Sequence, residues 1–271
     1  MKYKTSDVSK ILDIPIDTLR FLESKSIVKP EKNNDNNYRE YEAWDINFLT
    51  EYKKFKGFEF SLHEIAEIMH QDDLECFVKR MDEKQDYYAG KQKYYTYLAR
   101  RNSELRMKLK TISECIGNFR ITQCPDMYYF LHRFNEQYET KDKFDGIFEK
   151  WLEYFPFIQA AVIMKQESIE NRKNNNDHFW GFLIEKEYLE AFQLPLSDKV
   201  KHITSTSCLS TVICAGEKGS FSLYLLEKAL EFIDKNGYEL VGDVIGNLLA
   251  RTHETKGYSR YIEVWIPIKK R

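Results

Sequence analysis

The chain has 271 residues, 42% hydrophobic, 31% charged and 15% aromatic, with a net charge of −2. That length exceeds the ~100–150 residues usual for one domain, so two or three units are expected. No run approaches the roughly 18 apolar residues of a membrane span, no leader-like segment opens the chain, and five scattered cysteines fit a reducing cytoplasm better than a disulfide framework.

Residues 1–70 have the pattern of short helices and a hairpin. Thr5 and Ser6 are placed to cap a first helix with Val8, Ile11 and Leu12 inward. Pro15 opens a second helix over 16–25, with Leu19 and Leu22 inward and Arg20 outward. Two short helices across a tight turn at Asp13-Ile14-Pro15 make a helix-turn-helix, whose second helix suits a DNA major groove. Ile27-Val28 and Tyr38-Arg39-Glu40-Tyr41 are expected as strands of a wing with the polar tip 33–37.

The runs Asp17-Thr18-Leu19-Arg20-Phe21, Ile27-Val28-Lys29-Pro30, Asn37-Tyr38-Arg39-Glu40-Tyr41 and Phe60-Ser61-Leu62-His63-Glu64-Ile65 stand in the order and spacing of MerR-type regulators. This segment resembles that family. The resemblance implies a dimeric transcription regulator that distorts promoter DNA for RNA polymerase, with Thr18, Arg20, Tyr38, Arg39 and Lys56 facing double-stranded DNA. The chain departs from the family at Asp17, usually Arg, at Phe21-Leu22, usually a Tyr pair, and at Glu59, usually Gly.

Charge is distributed against expectation for a DNA-binding head. Residues 1–75 hold 11 Lys and Arg against 16 Asp and Glu, whereas residues 76–120 hold 11 against 5. Ser61 and Glu64 form a capping box ahead of Leu62, Ile65 and Met69. From Phe77 a three–four spacing runs through Met81, Lys84, Tyr88, Lys91, Tyr95, Leu98, Asn102, Leu105, Leu109, Ile112 and Ile116. This predicts a helix of about 35–40 residues that seeks a partner helix. A dimer seam is expected, and the resemblance implies an antiparallel coiled coil. Gly117-Asn118 ends it.

The remainder predicts strands over 119–123, 127–134, 158–164 and 178–185, with a helix over 142–155 and a short one over 187–192. A polar loop covers 170–177. A second round follows, with strands over 204–215, 240–252 and 258–268 and a helix over 221–235. Strand–helix–strand–strand twice over points to a duplicated βαββ domain. With Gly237-Tyr238-Glu239-Leu240-Val241-Gly242 and the closing Tyr261-Ile262-Glu263-Val264-Trp265-Ile266-Pro267-Ile268, it resembles the gyrase-inhibitor-like (GyrI-like) effector-binding domain. The expected architecture is a multi-domain α+β chain. It comprises a winged helix-turn-helix (1–75), a dimerisation helix (76–117) and an effector-binding domain (118–271), as in multidrug-responsive regulators.

Alternation in the last strand puts Tyr261, Glu263 and Trp265 on one face and Ile262, Val264 and Ile266 on the other. A carboxylate between two aromatic rings needs a compensating charge, and a lipophilic aromatic cation would supply it. Glu263 matches the ligand-contacting glutamate of the resembled domain. Trp180, Phe182, Tyr154 and Tyr238 are candidate walls of the same crevice. Two rival readings remain. Cys76, Cys115 and Cys124 are spaced as in soft-metal sensors of the family. Some gyrase-inhibitor-like domains resemble small hydrolases, with a pocket glutamate such as Glu263 as acid or base, but no nucleophile–base pair or metal motif stands out, so neither catalysis nor a cofactor is expected.

Overall fold

The computed structural model describes residues 1–140, 143, 146–171, 177–216, 222–254 and 257–271. The chain divides into two compact units, Met1–Tyr94 and Tyr95–Arg271.

The first unit orders β1 (Tyr3–Lys4), α1 (Thr5–Leu12), α2 (Ile16–Ser24), β2 (Glu31–Lys32), β3 (Arg39–Tyr41), α3 (Ala43–Gly57) and α4 (Leu62–His70). Val8, Leu19, Leu22, Ile27, Tyr41, Leu49 and Ile65 are fully buried together. Thr5 and Ser6 already lie inside α1. Lys4 is its N-cap residue, and the Asp7 carboxylate accepts from the Lys4 N–H at 3.0 Å. Ile11 points outward, 52% exposed. Residues 27–28 are not the first wing strand, because both side chains plug the core; the strand forms later, at β2. The sheet order β1-β3-β2 adds a strand not foreseen. The Asn33 side chain ties the tip by accepting from the N–H groups of Asp35 and Asn36. The Ser61–Glu64 capping box is formed.

Helix α5 runs Leu74–Lys110. In the first unit Phe77 and Met81 pack on the core. Glu59 sits at φ 58°, the left-handed backbone that favours glycine. Its side chain earns its place there. The carboxylate accepts from Lys91 Nζ at 2.6 Å and Tyr87 Oη at 3.1 Å, and its carbonyl accepts from Lys84 Nζ at 2.9 Å. Lys91 and Tyr87 hold the Glu59 carboxyl below its ordinary pKa.

Helix α5 stops earlier than its apolar spacing suggests. The Thr111 hydroxyl donates to the Met107 and Lys108 carbonyls at 3.2 and 3.4 Å, competing with the helical ladder. A single turn, α6 (Ile112–Cys115), precedes Gly117 at φ 71°.

The second unit then orders β4 (Arg120–Gln123), β5 (Met127–Phe134), β6 (Gln137–Tyr138), α7 (Ile147–Leu152), β7 (Gln159–Met164), α8 (Gln166–Glu170), β8 (Phe179–Glu185) and α9 (Lys186–Phe192). After these come β9 (Lys201–Ile203), β10 (Ser207–Ala215), α10 (Glu227–Lys235), β11 (Tyr238–Leu240), β12 (Val244–Glu254) and β13 (Gly257–Lys270). The expected starts of helices at 142 and 221, and most of the loop 170–177, lie outside the described residues.

The duplication is visible in the pairing. β5-β8-β7 and β10-β13-β12 are the same strand order twice, joined where β7 meets β12. β4 pairs with β10, and β9 with β5, in one continuous register from Gln123↔Ser207 to Met127↔Ile203, so the leading strands of the halves cross. One sheet face carries Val162, Met164, Trp180, Ile262, Val264 and Ile266 against Ala229 and Ile233 of α10. The other face bears Met127, Tyr129, Ala161, Ile163, Leu183, Ile245 and Trp265.

Much of the aromatic excess sits in two clusters. Phe130, Phe148, Trp151 and Phe182 form one, and Tyr97, Tyr154, Phe157, Tyr188 and Phe192 the other.

At Gly181 the backbone of β8 comes close to that of β5. A Cβ there would lie 1.9 Å from the Phe130 carbonyl oxygen and 2.8 Å from Leu131 Cα, both backbone atoms that cannot swing aside. Gly181→Ala is expected to destabilise the second unit by about 3 kcal/mol, read as a lower denaturation midpoint. An unchanged midpoint would contradict this registry.

Candidate functional site

Two groups of residues carry chemistry, one in each unit. On α2, Arg20 is well exposed, Thr18 half-buried, and Asp17 sits one turn before Arg20, with Arg20 Nη1 donating to its Oδ1 at 3.2 Å. Asp17 thus meets the very arginine expected to face DNA. On the wing, Tyr38 is 72% exposed. Arg39 is different: its Nε donates to the Glu23 carboxylate, which ties β3 back to α2. That bond raises the Arg39 pKa further and holds the head together. Lys56 stands exposed in the last turn of α3.

In the second unit the sheet face opposite α10 is crossed by a polar row. Glu263 is the cross-strand partner of Asn247, which pairs with Ala161, which pairs with Gly181. Two residues along the same strands bring in Gln159, Ile245 and Trp265 by alternation. Gln159 and Asn247 are 7% and 1% exposed, and Asn247 Nδ2 donates to Gln159 Oε1. At one end of the row lies Glu185, whose carboxyl burial pushes up while Arg101 and Lys108 pull it down.

The C-terminal half of α5 supplies the opposing charges. Tyr97, Arg101, Glu104 and Lys108 recur at helical spacing on one side. Arg100 Nη2 donates to Glu187 Oε2 at 2.9 Å, and its Nη1 to the other oxygen. Arg101, 4% exposed, donates from Nε to the Pro156 carbonyl at 3.4 Å; its Nη1 lies 3.6 Å from Glu104 and 3.9 Å from Glu185. Tyr188 Oη donates to Glu104 at 3.1 Å. Lys108 Nζ donates to Glu263 Oε2 at 2.7 Å and stands 5.8 Å from the Trp265 ring centroid. The Glu263 side chain is 16% exposed. The compensating charge that its position demands comes from the chain itself.

The remaining expected residues scatter. Tyr261 and Trp265 share the Glu263 face. Trp180 and Phe182 do not: the register Val162↔Trp180 and Ala160↔Phe182 turns them to the α7 and α10 side, with the core of that face. Tyr238, at the sheet edge opposite Lys270, packs against the same core. Tyr154 stacks on Phe192 in the aromatic cluster beside α5. Among the cysteines, Cys76 is exposed and Cys115 half-buried. Cys124 is buried beside Cys208, whose thiol hydrogen bond lowers the Cys124 pKa. Lys108, Asn247 and Gln159 were not foreseen. The signals were present: a second charged face on α5 distinct from the apolar one, and amides inside otherwise apolar strands.

Residues 3–72 match the MerR HTH family regulatory protein pattern. The chain is 34% identical over 65 residues to the HTH-type transcriptional regulator CueR of Escherichia coli O6:H1, a match covering 24% of this chain and 48% of that protein. It thus spans about half the length of that relative. Among solved structures, a MerR-family transcriptional regulator from Bacillus cereus is similar at 23% identity, covering 41% of this chain and 84% of the other, with a TM-score of 0.37. EcmrR, in its complex with DNA, is similar at 16% identity over 99% of this chain and 100% of its own, with a TM-score of 0.36. The match to the MerR HTH family pattern is confined to residues 3–72, the segment that holds α1, α2 and the wing.

Proposed function

We propose that the protein is a DNA-binding transcription regulator of the MerR type whose second unit senses a lipophilic, aromatic cation. In this reading α2 enters the major groove of promoter DNA, with Thr18 and Arg20 toward it, while Tyr38 on the wing and Lys56 reach phosphates. Arg39 supports the wing through Glu23. RNA polymerase acts on the promoter that the protein distorts.

The protein works as a homodimer. Tyr95, Leu98, Asn102, Leu105 and Leu109 form a strip along α5 next to the ion-paired side, and Tyr95 and Leu109 are 58% and 39% exposed. Arg106 and Lys110 flank that strip. In the first unit an apolar hollow of about 670 Å³, lined by Trp44, Phe48, Phe55, Leu74 and Phe77, carries the acids Glu51, Asp72 and Asp73. An exposed apolar strip along a long helix is what a partner helix would cover.

One observation carries the sensing: a nearly buried carboxylate beside an indole, balanced by an ammonium group. That is the chemistry of a cation site. The soft-metal and hydrolase readings gain less support. Cys124 finds its sulfur neighbour in Cys208, a residue outside the proposed thiol set.

Two measurements test this. Arg20→Ala should weaken binding to duplex DNA from upstream of the gene about fivefold and lower the salt slope by about one, whereas Asp17→Asn should tighten it. No change in either anisotropy titration would count against α2 as the reading helix. Glu263→Gln should cost about tenfold in affinity for cationic aromatic dyes and spare neutral ones of the same shape; equal losses would reveal a structural role only.

A further inference from the structure

The Lys108 ammonium group already does what a bound cation would do at Glu263. It donates to the carboxylate at 2.7 Å, faces the Trp265 ring at 5.8 Å, and is 34% exposed, so solvent reaches it from one side. Four carboxylates meet this side of α5, Glu104, Glu185, Glu187 and Glu263, against three bases, Arg100, Arg101 and Lys108. Among the described residues the carboxylates outnumber the bases here by one, and burial raises the pKa of one of them, Glu185. Directly across the strand from Glu263, Asn247 is 1% exposed, and its Oδ1 accepts no hydrogen bond among the described residues. A buried acceptor beside a carboxylate favours a guest that brings N–H donors as well as charge.

We propose that Lys108 is a built-in competitor for the effector: its ammonium fills the cation subsite at Glu263, and the effector is an amine-type cation with N–H donors that displaces it. The inference rests on the cation-sensing reading above and deepens it by naming the ligand class and the residue that sets its threshold. Lys108 Nζ occupies Oε2 of Glu263, so a guest ammonium seated on that same oxygen and the Lys108–Glu263 bond exclude each other. Displacement takes from the last turn of α5 its ion pair to β13. Arg101 and Arg100 hold the helix about two turns earlier, through the Pro156 carbonyl and Glu187. The guest therefore loosens the end of the helix and leaves its middle anchored, which couples occupancy to the element proposed as the dimer seam. A quaternary cation carries the charge but offers nothing to Asn247, and it cannot reproduce the short ammonium–carboxylate bond that it breaks.

The test uses the full-length protein and calorimetric titration with two probes, 4-phenylbutylammonium and its N,N,N-trimethyl counterpart. Charge and apolar body are the same, and only the N–H donors differ. Wild type is expected to bind the primary amine at least tenfold tighter than the trimethyl compound. Lys108→Met should tighten both by tenfold or more, Lys108→Gln should do the same if the methionine variant folds poorly, and Lys108→Arg should stay within threefold of wild type. Binding in the wild type with no gain in either neutral variant would overturn the competitor role and leave cation sensing intact. Equal affinity for the two probes would overturn the N–H requirement. Failure of wild type and every Lys108 variant to bind either probe would overturn the sensing reading together with this inference.

Discussion

The bond between Lys108 and Glu263 is the constraint around which the second unit is arranged. A carboxylate at 16% exposure, at the middle of a strand whose other face buries Ile262, Val264, Ile266 and Ile268, is expensive without a counter-charge. The chain meets that cost with the nearest long, flexible base on α5. The consequences spread through the unit: one side of the helix is committed to charges, and Glu263 is bonded to the helix while Gln159 and Asn247 beside it are buried.

This commitment accounts for the charge distribution. Part of the excess of bases in residues 76–120 is committed to bonds within the chain. Lys84 and Lys91 hold Glu59, and Arg100, Arg101 and Lys108 hold the acids of the second unit. In the head, the acids that outnumber the bases are partly spent on internal bonds, Glu23 on Arg39 and Asp17 on Arg20. Under the proposed function, docking to DNA would depend on a few placed contacts more than on a broad positive field.

How far the fold can be read from the residues varies with the kind of signal. Strand 127–134 and the capping box at Ser61 are legible because alternation and capping are local. The duplicated βαββ order follows from counting elements. Residues 27–28 mislead, because two β-branched side chains in the core of a small head look the same as a strand. Glu59 looks like a loss of backbone freedom, and its gain, the grip on Lys91, lies in tertiary contacts that no local pattern encodes. The candidate site is half legible. Alternation finds the face of Glu263, Tyr261 and Trp265, but only the register across four strands shows that Trp180 and Phe182 belong to the other side. Lys108 escapes because an amphipathic helix is ordinarily read for its apolar stripe, and here the charged one makes the bond.

The most direct test of this account is a double-mutant cycle between Lys108 and Glu263, with Lys108→Met, Glu263→Gln and the double variant followed by chemical denaturation. For a half-buried pair held at this distance, the account predicts a favourable coupling of about 1 kcal/mol, with the double variant more stable than the sum of the single losses implies. Additivity to within about 0.3 kcal/mol would mean that the two side chains do not depend on each other, and would contradict it.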